Sequence, residues 1–283
     1  MRDPTGRLDA VTNTAATATD AATAAVTATG EPVGALLRGW RQRRRRSQLD
    51  VSIAAELSTR HLSCIETGRA NPSREMIRRL CEELDVPLRE RNTLYLAAGF
   101  APVHAERAFD DLGAARTAVQ AVLTGHEPNP ALAVNVRWEM LAANRAMGLF
   151  LTDLPPELTR PPVNVLRATL HPDGLSRRIR NLAQWRAHVL RRVRRQLERT
   201  SAAGLAELLA ELESYPAPEP STPGPVNDLV VPLHLATDHG ELALLYTTTV
   251  FGSPRDVTLD EIAIETFFPA DRATVALMRA AAP

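Results

Sequence analysis

The chain has 283 residues, 45% hydrophobic and only 4% aromatic, and its 33 basic side chains balance 33 acidic ones. That length allows two domains of ordinary size, with most of any core falling on Leu, Ala, Val and Ile. No apolar run is long enough to span a membrane, and two cysteines, Cys64 and Cys81, make neither a disulfide framework nor a metal-ligand cluster.

Residues 1–31 are rich in Ala and Thr, have no apolar periodicity, and are expected to form a disordered tail. They lack the basic start and apolar centre of a secretory signal, so a cytoplasmic protein is expected. From Glu31 to Arg91 the chain carries about four more positive than negative charges, and every basic residue in the protein is Arg. The guanidinium is a planar fork of donors suited to phosphates and to guanine edges.

Five short helices are read between Val33 and Gly99. Val33, Leu36, Leu37 and Trp40 recur at i, i+3, i+4, i+7 and give the first helix one apolar stripe. Ser47 with Asp50 three residues on approximates a capping box for a second helix, about Gln48–Ala55, with Val51 inward. Glu56 and Leu57 form a turn. Ser58 caps a third helix with Leu62 and Ile65 inward, and Gly68 ends it. Asn71, Pro72 and Ser73 open a fourth with Ile77, Leu80, Cys81 and Leu84 on one face, and a fifth follows Pro87. Two helices joined by a short turn inside a small bundle can seat the second in a DNA major groove, with Thr59, Arg60 and His61 at its leading end. The run Arg43–Arg46 has two readings: phosphate contact, or charge complementing a helix C-terminus.

The stretch SQLDVSIAAELSTRHLSCIETGRANPS resembles the Xre-type, lambda-repressor-like helix-turn-helix family. The likeness rests on Gln48, Ser58 and the closing stretch Glu66 to Ser73. It implies double-stranded DNA as partner and Arg45, Arg46, Gln48, Ser58, Thr59, Arg60, His61, Ser63 and Arg69 as candidate contacts. It also implies a nucleoid-associated homodimer, since one such domain reads too few base pairs for genomic specificity. The chain departs from the family at Ser52, usually Ala, and at Glu56, usually Gly. A positive φ at Glu56 would cost roughly 1 kcal/mol.

Beyond a linker at 101–111, a helix is expected from Leu112 to Leu123 and two strands about a tight turn in ALAVNVRWEMLAAN. Residues 162–174 read as loop. Leu182, Trp185, Val189, Val193 and Leu197 stripe a long helix from Asn181 to about Thr200, and Leu205, Leu208, Leu209 and Leu212 mark another. After a Pro-rich loop at 215–226 come a hairpin across Asp238, His239 and Gly240, a strand at 261–268 and a closing helix at 271–282. The sum is an antiparallel sheet with helices on one face, so the chain as a whole is α+β: an all-α domain at 32–100 and an α+β domain at 112–283.

The segments AVNVRWEMLAANRAM, NVLRATLHPDG and PRDVTLDEIAIETFFPADRAT are similar to the ligand-binding domain of MmyB-like regulators. The resemblance implies a PAS-like domain holding a small hydrophobic ligand, with fatty acids the suspected class. It further implies an actinobacterial source and a link to antibiotic metabolism. Candidate ligand contacts are Trp138, Met140, Asn144, His171, Trp185, His188 and Arg192, of which the last three share one helix flank at i, i+3, i+7.

No His pair has metal spacing, and neither a phosphate-cradling Gly-rich loop nor a Gly-x-Ser-x-Gly nucleophile is present, so a non-enzymatic protein without cofactor is expected. An antitoxin-type repressor, whose C-terminal half binds a protein partner, remains the alternative.

Overall fold

The computed structural model describes residues 30–151, 153–216 and 230–281. The Ala- and Thr-rich tail and the Pro-rich loop lie, but for their edges, outside the described residues. The chain divides into two compact units, one ending at Val103 and the other beginning at His104. The segment expected as a linker is tied to the second unit: Ala105 bridges to Asp256, and Arg107 donates to the Asp256 carboxylate at 3.1 Å.

The first unit contains α1 (Val33–Arg43), α2 (Gln48–Ala54), α3 (Thr59–Glu66), α4 (Arg74–Glu83) and α5 (Leu88–Ala97). Serines begin three of them. The Ser47, Ser58 and Ser73 hydroxyls accept from the backbone N–H of Asp50, His61 and Met76, and Asp50 returns the bond to complete a capping box. Trp40, Leu37, Leu62, Ile65, Ile77, Leu80, Leu84 and Leu94 are essentially inaccessible and form the core. Gly34 lets α1 lie against α3, since a Cβ there would meet the Ile65 carbonyl oxygen at 2.1 Å.

The second unit runs α6 (Ala114–Gly125), β1 (Ala131–Val134), β2 (Met140–Ala143), α7 (Gly148–Leu151), α8 (Pro156–Thr159) and α9 (Val165–Leu170). It continues through α10 (Leu182–Thr200), α11 (Leu205–Ser214), β3 (Leu233–Thr237), β4 (Gly240–Val250), α12 (Val257–Asp260), β5 (Ala263–Pro269) and α13 (Arg272–Ala281). The strands form one antiparallel sheet in the order β2-β1-β5-β4-β3, the PAS-like arrangement that the resemblance implies.

Three expectations change. The turn between β1 and β2 is not tight: Asn135 organises it, its side-chain oxygen accepting from the N–H of Arg137 and Glu139 while Trp138 takes φ 65°. Residues read as loop contain α9, because Asn164 caps it by accepting from both Leu166 and Arg167 N–H. Helices also cover both faces of the sheet rather than one. Leu132 and Val134 of β1 join the large core with α10, whereas Ala131 and Ala133 pack with Val119 and Leu123 of α6. Period-2 alternation with both faces apolar leaves β1 wholly buried.

The α2–α3 turn puts Glu56 at φ 55°, the left-handed region expected from the sequence. Replacing this exposed residue, Glu56→Gly, is expected to stabilise the first unit by about 1 kcal/mol. Denaturant unfolding monitored by helical circular dichroism measures it; an unchanged or lower midpoint contradicts strain at this turn.

Candidate DNA interface and ligand cavity

The α2–α3 pair is held by one carboxylate. Glu66, at the end of α3, has a side chain 2% exposed and receives Arg41 of α1 through both oxygens, at 2.6 and 2.8 Å. Gln48 of α2 donates to the same carboxylate at 2.8 Å. Burial alone would raise the Glu66 pKa, but the bonds and charge of Arg41 and the Gln48 bond outweigh it and hold it low. This stabilisation is therefore present above the ordinary carboxylate pKa and is lost as pH falls through the depressed one.

That network redistributes the candidate DNA contacts. Arg60, at the leading end of α3, is exposed, with Thr59, His61 and Ser63 half-buried beside it and Arg69 exposed beyond Gly68. Ser58 holds the cap, and the Gln48 amide is committed to Glu66. Arg45 is exposed at φ 53°. Arg46 donates to the Glu83 and Asp50 carbonyls at 3.0 and 3.2 Å. Arg44 likewise donates to the Leu84 carbonyl at 2.8 Å, and Arg43 lies over the Trp40 ring. The Leu84 and Glu83 carbonyls lie at the C-terminus of α4, whose last carbonyls have no partner within the helix and draw Arg44 and Arg46.

In the second unit, β1, β2, α7, α9, α10, β4 and β5 wall a largely apolar cleft that opens to solvent, the concave kind of surface small molecules occupy. Trp138, Met140, Trp185, His188 and Arg192 line it together. Asn144 and His171 do not. Asn144 ties α6 to β1, donating to the Leu123 and Asn129 carbonyls and accepting from Ala131 N–H. His171 ends α9, accepts from Asp173 N–H and meets Tyr215 edge-on.

The polar end of the cavity is built across α10, β4 and β5. Arg192 makes a fork to Glu265 at 2.8 and 2.5 Å and also donates to the Thr248 hydroxyl at 2.7 Å. Its guanidinium lies 4.5 Å from the Trp138 ring centroid and 5.3 Å from that of Tyr246. Burial works against the Arg192 charge, yet the Glu265 bonds and charge raise its pKa. His188 is hydrogen-bonded to the Tyr246 hydroxyl and stacked on Trp185. Burial, followed by the neighbouring charges of Arg191, Arg192 and Arg195, lowers its pKa, so it is neutral at pH 7.

Residues 115–281, more than half of the chain, match the family model for the ligand-binding domain of MmyB-like transcription regulators. The chain belongs to this family. Residues 32–94 match a helix-turn-helix domain model. The transcriptional regulator ClgR of Mycobacterium tuberculosis, in strains CDC 1551 / Oshkosh and ATCC 25618 / H37Rv, is 43% identical to the chain over 58 residues. That stretch is 20% of this chain and 52% of ClgR, so the chain spans about half the length of the curated relatives it matches.

Within this MmyB-like regulator, sequence reasoning missed Glu265, Tyr246 and Thr248. A signal existed for Glu265: it is an acidic residue in the otherwise apolar strand AIETFF, where a 4% exposed carboxylate needs a cation. Removing the cation of the other buried pair gives a direct test of its structural weight. Arg41→Ala leaves Glu66 buried without its fork and is expected to destabilise the first unit by about 3 kcal/mol. Urea unfolding of the full chain, followed by Trp40 fluorescence in a variant lacking the other two Trp, reads the loss. A shift near zero would show that Gln48 alone satisfies the carboxylate.

Proposed function

We propose that this MmyB-like chain is a ligand-responsive, sequence-specific DNA-binding regulator and not an enzyme. The observation that carries the reading is the apolar cavity with one polar end, in a chain that also has a helix-turn-helix with an exposed leading Arg60. Arg60 meets base edges, with Thr59, His61, Ser63, Arg69 and Arg45 positioned for the duplex around it. The protein acts as a homodimer on two half-sites in the cytoplasm. Walls of Leu, Val, Met, Phe and Trp suit an acyl chain of the kind a fatty acid carries, and they favour a small molecule over a docked protein partner.

Arg60→Ala is expected to cost about 1–3 kcal/mol on the operator and to relax preference at one base pair. Quantitative footprinting on matched operator variants measures both; unchanged affinity and pattern remove Arg60 from the reading surface.

A ligand shifts DNA affinity only through its different affinity for two conformations, and by linkage DNA changes ligand affinity by the same factor. Protein stripped of lipid and protein reloaded with the extracted molecule are expected to differ in operator affinity by roughly 5- to 150-fold. Equal affinity, with occupancy established by mass spectrometry, would make the cavity structural and end the sensor reading.

A further inference from the structure

We infer that the cavity takes a ligand with an apolar chain and an uncharged, hydrogen-bond-accepting head, such as an ester, lactone, amide or alcohol, in preference to a free carboxylate. The inference rests on the ligand-sensing reading above and narrows it to a chemical class.

Three observations carry it. First, the charged side chains lining the cavity, among the described residues, are Arg192 and Glu265, and they neutralise each other through a two-pronged pair at 2.8 and 2.5 Å. Thr248 closes the pair further, accepting from Arg192 at 2.7 Å and donating to Glu265 at 3.2 Å. The rings of Trp138 and Tyr246 crowd the guanidinium as well, their centroids 4.5 and 5.3 Å from its carbon. An entering carboxylate would have to displace Glu265, leaving that group buried and unpaired, or sit beside it as a second negative charge. Either course carries the penalty of an uncompensated charge out of water.

Second, the remaining polar groups supply no spare cation. His188 is neutral for the reasons given and is paired with Tyr246, and the Thr169 hydroxyl donates to the Val165 carbonyl at 2.6 Å.

Third, an unmet donor is present. Trp185 lines the cavity and is 5% exposed, and its indole Nε1–H is buried without a hydrogen-bond partner among the described residues. Indole N–H groups in protein interiors nearly always find an acceptor. Were the Trp185 ring to turn its Nε1–H to the cleft, a carbonyl, ether or hydroxyl oxygen on the ligand would supply one without bringing charge. The apolar body of such a ligand would lie against Leu132, Met147, Phe150, Val189 and Phe267.

The test compares three probes with one acyl chain, dodecanol, methyl dodecanoate and dodecanoate, titrated into delipidated full-length protein at pH 7.5 by calorimetry below their aggregation limits. The neutral probes are expected to bind at least about tenfold more tightly than dodecanoate. Glu265→Gln removes the competing negative charge while keeping the shape, which frees Arg192 as a cation and is expected to bring dodecanoate level with or ahead of the ester. Wild-type protein that prefers dodecanoate overturns the head-group inference and leaves the sensor reading standing. Binding of none of the three overturns both. Should Glu265→Gln fail to fold, the wild-type comparison decides alone; a folded Glu265→Gln that keeps the wild-type preference overturns the charge argument.

Discussion

A carboxylate taken out of water needs a matched cation with enough donors to replace its hydration. The chain meets that constraint the same way in each unit. Glu66 binds the fork of Arg41 and fixes α1, α2 and α3 to one another, which sets the angle at which the leading end of α3 is presented. Glu265 binds the fork of Arg192 and fixes α10 to the centre of the sheet, which sets the polar end of the cavity. Both surfaces depend on two parallel hydrogen bonds from a planar group. An ammonium can supply the charge but not that geometry, and the chain, whose basic residues are all Arg, has no lysine to substitute.

The helix-turn-helix was legible because its signals are local. Ser47, Ser58 and Ser73 cap helices within three residues of themselves, Gly68 ends α3 at φ 72°, and the apolar stripes repeat within a few turns. The Arg43–Arg46 run was less legible for the same reason inverted. What decides the role of Arg44 and Arg46 is the end of α4, some forty residues away along the chain. A run of like charge read in isolation suggests phosphates; with its distant carbonyls in place, half of it is a structural clasp.

In the C-terminal unit the long helix, the β3–β4 hairpin and the last strand were legible by period. Trp185, His188 and Arg192, which share one flank of that helix, all line the cavity. Helix α9 was not, since its six residues are too short for a periodic signal and rest on the Asn164 cap. Asn144 and His171 illustrate a different limit. Both are polar residues in motif-rich segments, and both proved to be satisfying backbone groups, the commonest use of such side chains. The partner of Arg192 lies 73 residues away on β5, so only a buried acid in an apolar strand hinted at it.

The cavity and its ion pair also constrain each other energetically. Arg192, Thr248 and Glu265 join α10, β4 and β5, and any water admitted to the cleft would compete for the bonds they make. An apolar occupant expels that water and lowers the local dielectric, which strengthens the attraction within an intact pair. Filling the cleft and ordering these three elements therefore favour one another, provided the occupant leaves the pair closed. An occupant that opened the pair to reach Arg192 would do the opposite, because Glu265 would stay buried with its charge unmatched. The sign of any response thus turns on the head group rather than on the chain, since the chain gains the same apolar contacts in either case. A ligand that bound the ordered and the loosened forms equally well would transmit nothing, however tightly its acyl chain was held.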